Sequence, residues 1–370
     1  MYHPNNFFSH INLFFVNMNK LLKYIILFSL LLVINVKGQV CNYCNKKITS
    51  NYLEVEGKKY HPNHFLCSAC GRQIDGKFTK HEGKFFHKAC YQKYYGLKCE
   101  YCKKPIDGTF VDSEDGIYHE SCFNNFVVDK CKVCGKALIG EYLVDVHGLK
   151  YHKNHKEVLP TCSNCNRIIS ERTTNGGVKL EDERSLCNNC FNKRIKSNNS
   201  YNELLNKVVY NLSSIGLKIR KDNISIQPVN KIKLAQVSNN TVNNYTKGFC
   251  QTSYKYKEKN GKKEKFDERH TIYVLDRLPE KSTESIIAHE LMHVWMHQND
   301  VRNLPSKTTE GACNFISYIY FKGRTDYESK EIILLLENDT DPIYGEGFRE
   351  IKYRFENKSV YDLLNFLKNY

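Results

Sequence analysis

The sequence predicts a multi-domain chain in which small metal-stapled β-hairpin modules precede one α+β domain of 170 residues, 201–370. Three observations predict it. Fourteen of the sixteen cysteines fall in a five-fold repeat of Cys-x-x-Cys pairs that ends at Cys190. Apolar residues at helix and strand spacing fill the segment after residue 200. That segment also contains His289-Glu290-Leu291-Met292-His293.

The chain opens with a segment, 1–38, that reads as a secretory signal peptide. Lys20 and Lys23 precede an apolar run from Tyr24 to Val36 that is too short for a bilayer-spanning helix, and Met18 is the more natural start. Cleavage after Gly38 implies a secreted or periplasmic protein with no membrane attachment. An uncleaved segment implies a membrane anchor.

The repeats follow directly. Their ligand sets are Cys41, Cys44, His61, His64; Cys67, Cys70, His87, Cys90; Cys99, Cys102, His119, Cys122; Cys131, Cys134, His152, His155; and Cys162, Cys165, Cys187, Cys190. A Cys-x-x-Cys knuckle lets two thiolates reach one ion, and each set closes with a second pair after 16 to 21 residues. This predicts five structural zinc ions. Residues that bind no metal keep the same register. An Ile or Leu stands four places after each knuckle (Ile48, Ile74, Ile106, Leu138, Ile169), and an aromatic precedes the ligand histidine at Tyr60, Phe86, Tyr118 and Tyr151. A disulfide framework is the alternative for an exported chain, but it does not call for histidines at the third and fourth places. The first two sets form a double-zinc unit, 39–95, because only Phe65 and Leu66 separate their ligands. Three further sites occupy 96–193, and 194–200 reads as a linker rich in Asn, Lys and Ser.

In the last domain, Tyr201–Ile215 has apolar residues at helical spacing and Gly216 as a stop, while Ile224–Val237 reads as strand. Phe249–Leu275 reads as a hairpin turning at Asn260-Gly261, whose second strand, His270–Leu275, leads into the next helix. An edge strand there offers an extended peptide a place to pair. Ser285–His297 reads as an amphipathic helix capped by Ser282 or Thr283.

That helix stacks His289 and His293 one turn apart, so both imidazoles can share a catalytic zinc with Glu290 beside the open position. A third ligand leaves the fourth position for water, whose pKa falls to about 7 and whose proton a neighbouring carboxylate can take. Glu310 is the expected third ligand, with Glu328 or Glu331 as fallback. A third histidine is absent, since Asn299 stands at its position and Met296 at the glycine that would precede it. His297 reads as a surface or supporting residue and Cys313 as a small core residue. Tyr344, flanked by Gly345, is a candidate hydrogen-bond donor to a tetrahedral oxyanion or, alternatively, a turn anchor. Cys250 and Cys313 read as a disulfide or as two buried thiols.

The double-zinc spacing is that of a LIM domain. Together with Gly248-Phe249-Cys250, Ser285 to Trp295, Glu310-Gly311-Ala312-Cys313 and Asp341 to Arg349, it resembles the LIM-domain peptidases of the plant organ-size regulators called DA-one proteins and their bacterial relatives. The resemblance runs from about Cys41 to the C-terminus. It implies LIM-type modules followed by a gluzincin-like zinc metallopeptidase domain, with His289 and His293 as ligands, Glu290 as base and Glu310 as third ligand. The chain departs from the plant pattern by carrying more zinc repeats and no ubiquitin-interacting helices ahead of Cys41.

The expected function is therefore that of an exported zinc endopeptidase that hydrolyses protein or peptide substrates and whose LIM-type modules bind protein partners or substrate or regulate access. A non-enzymatic LIM scaffold with an inactive peptidase fold is the alternative. A formal charge of +15 raises nucleic acid as a partner, with Lys255–Lys265 as a local basic cluster. Nucleic acid is not expected, because bound zinc thiolates reduce the effective charge and the cluster sits at a hairpin tip.

Overall fold

The computed structural model describes residues 32–34, 39–239, 246–259 and 262–370. The chain divides into two compact units that meet at Asp129 and Lys130. The expected signal segment lies outside the described residues except for Leu32–Ile34, whose backbone pairs with Tyr52–Glu54. No described helix is long and apolar enough to cross a membrane.

The first unit holds three zinc-ligand clusters and the antiparallel hairpins that carry them. These are Tyr52–Val55 with Lys58–Tyr60, Phe78–His81 with Lys84–His87, and Phe110–Ser113 with Gly116–His119. The first two modules share one small core of Ile48, Tyr52, Phe65, Ile74, Phe78 and Phe86. Phe65, in the two-residue spacer, is fully buried and packs edge-on against Phe78. The third module keeps its own cluster around Ile106, Phe110 and Tyr118. Cores of this size need their ions to hold a fold.

The second unit begins with the fourth module, hairpin Tyr142–Val144 with Lys150–His152, again on a minor cluster with Leu138 and Tyr151. The fifth module differs. Its hairpin, Gly177–Lys179 with Ser185–Cys187, brings Leu180, Leu186 and all four cysteines into the large core of the C-terminal domain. Residues 194–200 accordingly do not form a free linker. Arg194 bridges Pro279, and the Ile195 N–H donates to the Leu278 carbonyl at 3.0 Å.

Numbered from Asn198, the domain runs α1 (Asn198–Ser214), β1 (Ile224–Val229), α2 (Lys231–Val237), β2 (Gly248–Lys259), β3 (Lys262–Leu275), α3 (Glu280–Gln298), α4 (Ser306–Phe321), α5 (Tyr327–Glu337), α6 (Tyr344–Phe355) and α7 (Val360–Lys368). The sheet order is β1-β3-β2, with β3 parallel to β1 and antiparallel to β2. The edge beside the site is therefore β2, while β3 lies in the middle. The expected turn, Asn260-Gly261, lies outside the described residues.

Three further sequence expectations are corrected. Ile224–Val237 is strand only to Val229, because the Asn230 side chain accepts from the Lys233 N–H and starts α2. The helix carrying the histidines begins at Glu280, ahead of the expected cap. Pro279 holds the cap position, and Thr283 turns its hydroxyl back to the Pro279 carbonyl at 3.1 Å. Nor is α3 one-sided. Glu284, Ile287, Ala288, Leu291, Met292 and Val294 are fully buried and Glu290 nearly so, which places α3 at the centre of the domain. Glu284 is tolerated there because Lys207, Lys281, Tyr320 and Arg324 all direct donors at it.

Candidate functional site

In each of the five Cys/His clusters, the four candidate ligand atoms lie within 4.8 Å of one another. A tetrahedral zinc with bonds of about 2.3 Å to sulfur and 2.0 Å to nitrogen requires ligand separations of roughly 3.3 Å between nitrogens to 3.8 Å between sulfurs. The measured spacings fit. Cys44 Sγ to His61 Nδ1 is 3.5 Å, Cys102 Sγ to His119 Nδ1 is 3.4 Å, and Cys165 Sγ to Cys187 Sγ is 3.7 Å. Three of the ligand histidines anchor Nε2 on a backbone carbonyl, His87 on Gln73, His119 on Pro105 and His152 on Ala137, at 3.0 to 3.1 Å. Such anchoring fixes the tautomer a metal needs. Burial opposes ionisation of Cys41, but the N–H groups of Cys44 and His61 outweigh it and bring the thiol down to about 6. All sixteen cysteines are free thiols, so no disulfide framework is present and Cys250 and Cys313 are not bonded to each other.

A further convergence lies between α3 and α4. His289 Nε2 is 3.1 Å and His293 Nε2 3.5 Å from Glu310 Oε2. Two imidazole nitrogens and one carboxylate oxygen at these separations suit one zinc with bonds of about 2.0 to 2.2 Å. Burial would raise the Glu310 carboxyl, but hydrogen bonds from His289 and His293 outweigh it and hold the group well below the usual carboxylate range. Glu328 and Glu331 do not join this set. They sit on α5 and pair with Lys193 and Arg167. His297 is exposed one turn beyond His293, and Cys313 is fully buried in the core.

Glu290 lies beside these residues, 4 % exposed, with the Cys250 N–H directed at its carboxylate. Burial pushes its pKa up; His289 and His293 oppose that and Glu310 reinforces it. The β2 edge reaches Glu290 closely only because Gly248 has no side chain, since a Cβ there would stand 2.6 Å from Glu290 Oε1 and overlap Ile286. A similar close approach joins α4 to α6, where a Cβ on Gly311 would overlap the Gly347 backbone. That crossing sets Glu310 and the start of α6 side by side.

Tyr344 opens α6. Its N–H donates to Asp341 Oδ1 at 2.9 Å, which makes it a turn anchor, while its ring stacks over His289 with centroids 6.2 Å apart. Burial raises its phenol, and Glu310 and Glu290 add to the effect. Asn314 was not singled out from the sequence, yet it joins two of these groups. His289 Nδ1 donates to its Oδ1 at 2.8 Å, and its Nδ2 donates to the Tyr344 carbonyl at 3.2 Å. His289 therefore presents Nε2 toward Glu310. The available signal was position, since Asn314 is one turn after Glu310 and polar within an apolar helix face.

Comparison with known proteins yields two family matches, a LIM domain over residues 41–95 and a DA1-like domain, described as Protein DA1, over 234–334. Protein DA1-related 7 of Arabidopsis thaliana is 23% identical over 265 residues, covering 57% of this chain and 47% of that protein. Protein DA1 of the same plant is 24% identical over 251 residues, covering 54% and 47%. LIM domain-containing protein HDR3 of Oryza sativa subsp. japonica is 24% identical over 261 residues, covering 55% and 52%. The chain spans about half the length of the curated relatives it matches.

Proposed function

We propose that this chain, which carries a LIM domain and a DA1-like domain and is homologous to the plant DA1 proteins, is an exported zinc-dependent endopeptidase. The observation that carries the reading is the convergence of His289, His293 and Glu310 on one point, with buried Glu290 alongside. When bound there, zinc supplies Lewis acidity, which acidifies water and polarises a carbonyl.

The chain's own groups account for the remaining requirements. Glu290 is desolvated and its pKa raised, so it is suited to take a proton from the attacking water and return it to the departing amine as the C–N bond breaks. The Cys250 N–H keeps that carboxylate oriented. Asn314 holds His289 in the tautomer that leaves Nε2 for the metal. Tyr344, whose ring stacks over His289, is the candidate donor to an oxyanion. Among the described residues β2 pairs with β3 alone, so an extended substrate can pair with its other side, which favours an endopeptidase acting on unfolded segments. LIM domains commonly mediate protein interactions, so the modules of the first unit are the natural partner-binding part. Export rests on the Lys20 to Gly38 pattern, and protein recovered outside the cell is expected to begin near Gln39.

The test is cleavage of an unfolded protein by the zinc-loaded chain beside Glu290→Gln, with products identified by mass spectrometry. Cleavage by the parent, with a loss of about 100- to 10,000-fold in the variant, is expected. Equal cleavage by both would reject Glu290 as the base, and no cleavage by the parent would reject the peptidase reading.

A further inference from the structure

The fifth zinc cluster differs from the other four in what surrounds it. Cys162, Cys165, Cys187 and Cys190 are all buried, and they share a core with Leu204, Leu275, Leu278 and Ile287. Polar contacts reinforce this seat. Arg184, 4 % exposed, joins Asp182 of its own hairpin to Asp276 at the end of β3, and Asp182 also accepts from the Lys231 N–H at 2.8 Å.

One route from this cluster leads to the candidate active site. Asn164, inside the knuckle, donates from Nδ2 to Cys190 Sγ at 3.3 Å, and its backbone carbonyl accepts from Lys247 Nζ at 2.8 Å. Lys247 is also tied to the sheet, because its carbonyl accepts from the Leu275 N–H at 2.8 Å. The next residue is Gly248, whose backbone abuts Glu290. Burial works against the charge of Lys247 and lowers its pKa, and the groups that favour the ammonium are Cys162, Cys165, Cys190 and Asp339. Four thiolates around one zinc carry a net charge of about −2, which a buried site must offset with a nearby cation. Asp339 lies just ahead of α6, and a Cβ on Gly345 would overlap its carbonyl. Lys247 thus stands between the fifth cluster, the strand that touches Glu290 and the loop that leads to Tyr344.

We propose that Lys247 is a positioning residue: it is the counter-cation of the zinc site formed by Cys162, Cys165, Cys187 and Cys190, and it sets the start of β2 against Glu290. The fifth module is then part of the catalytic domain, and its metal holds the catalytic base in place. This rests on the reading of Glu290 as the base.

The test compares the zinc-loaded full chain with Lys247→Met, Lys247→Arg and Asn164→Ala. Three quantities are read: zinc release to a colorimetric chelator, amide exchange over 248–251, and kcat separately from KM. Lys247→Met is expected to release one zinc per chain at least 10-fold faster, to exchange faster at 248–251, and to lose about 10- to 100-fold in kcat with KM little changed. Lys247→Arg keeps the charge and is expected to restore zinc retention and most of kcat. Asn164→Ala, which leaves the carbonyl that receives Lys247, is expected to speed zinc release and lower kcat by a smaller factor. It decides the matter if Lys247→Met does not fold. Faster zinc release with kcat and exchange at 248–251 unmoved would overturn the coupling, as would unchanged zinc release in Lys247→Met. If the parent does not cut, the peptidase reading fails on its own, while zinc release and amide exchange still decide whether Lys247 links the cluster to β2.

Discussion

The first double-zinc unit and the C-terminal domain reach order by different routes. In residues 39–95 a handful of buried residues, among them Ile48, Phe65 and Ile74, surround two ligand clusters. In the C-terminal domain a continuous core gathers around α3, from Ile287 through Leu291 to Trp295. The first region is assembled by coordination and the second by burial. The fifth module shows that the two can merge, since its cysteines are ligands and core residues together.

The largest expected effect that separates the regions is zinc removal. Structural zinc contributes about 10–16 kcal/mol in isolated finger peptides, more than any burial available to one module. Exhaustive chelation is expected to abolish amide protection across 39–129 while leaving slow exchange in α1, α3 and α4. Hydrogen exchange read by mass spectrometry checks this, and surviving protection in 39–129 would break the contrast.

A matched pair of core truncations sharpens it. Leu291→Ala and Ile74→Ala each remove a fully buried aliphatic side chain, with an expected cost of about 2–5 kcal/mol. Leu291→Ala should appear as a lower melting temperature of the C-terminal domain. Ile74→Ala should appear mainly as weaker zinc retention in the first unit, because folding and binding there are one event. Calorimetry beside a zinc-competition titration distinguishes the two.

Asn314→Ala should be smaller and local. Loss of its bond to His289 is expected to weaken zinc at His289, His293 and Glu310 by about 10- to 100-fold, with the five cysteine clusters unchanged. The smallest effect is a pH dependence at the junction of the fifth module and the core. Burial raises the Asp182 carboxyl, but the Lys231 N–H and Arg184 outweigh it, so its folded pKa lies below the ordinary value. Its stabilisation is therefore complete above about pH 4 and is lost as the pH falls through the folded pKa. Melting curves of the parent and Asp182→Asn should differ at pH 7 and draw together as the pH falls below about 4 and through the folded pKa.

Most of the ligand clustering was readable from the sequence, because ligand spacing is a local property. Every ligand set in the repeat closes into a cluster, and His289, His293 and Glu310 converge. What the sequence concealed depends on contacts between distant segments. Leu180 and Leu186 look like ordinary hairpin residues, and only the folded chain shows that they join Leu275 and Leu278. Asn230 was hidden within an apolar run, so a cap and short helix read as strand. Gly248 and Gly311 matter for the backbones they let approach, and these come from other elements.

The most direct test of the account is a zinc count by native mass spectrometry, made beside the cleavage assay, for the parent and His293→Ala. Six ions and cleavage are expected for the parent, five from the cysteine clusters and one at His289, His293 and Glu310. His293→Ala should hold five and not cut. An unchanged count in His293→Ala, or undiminished cleavage with five, would contradict a catalytic zinc at this site.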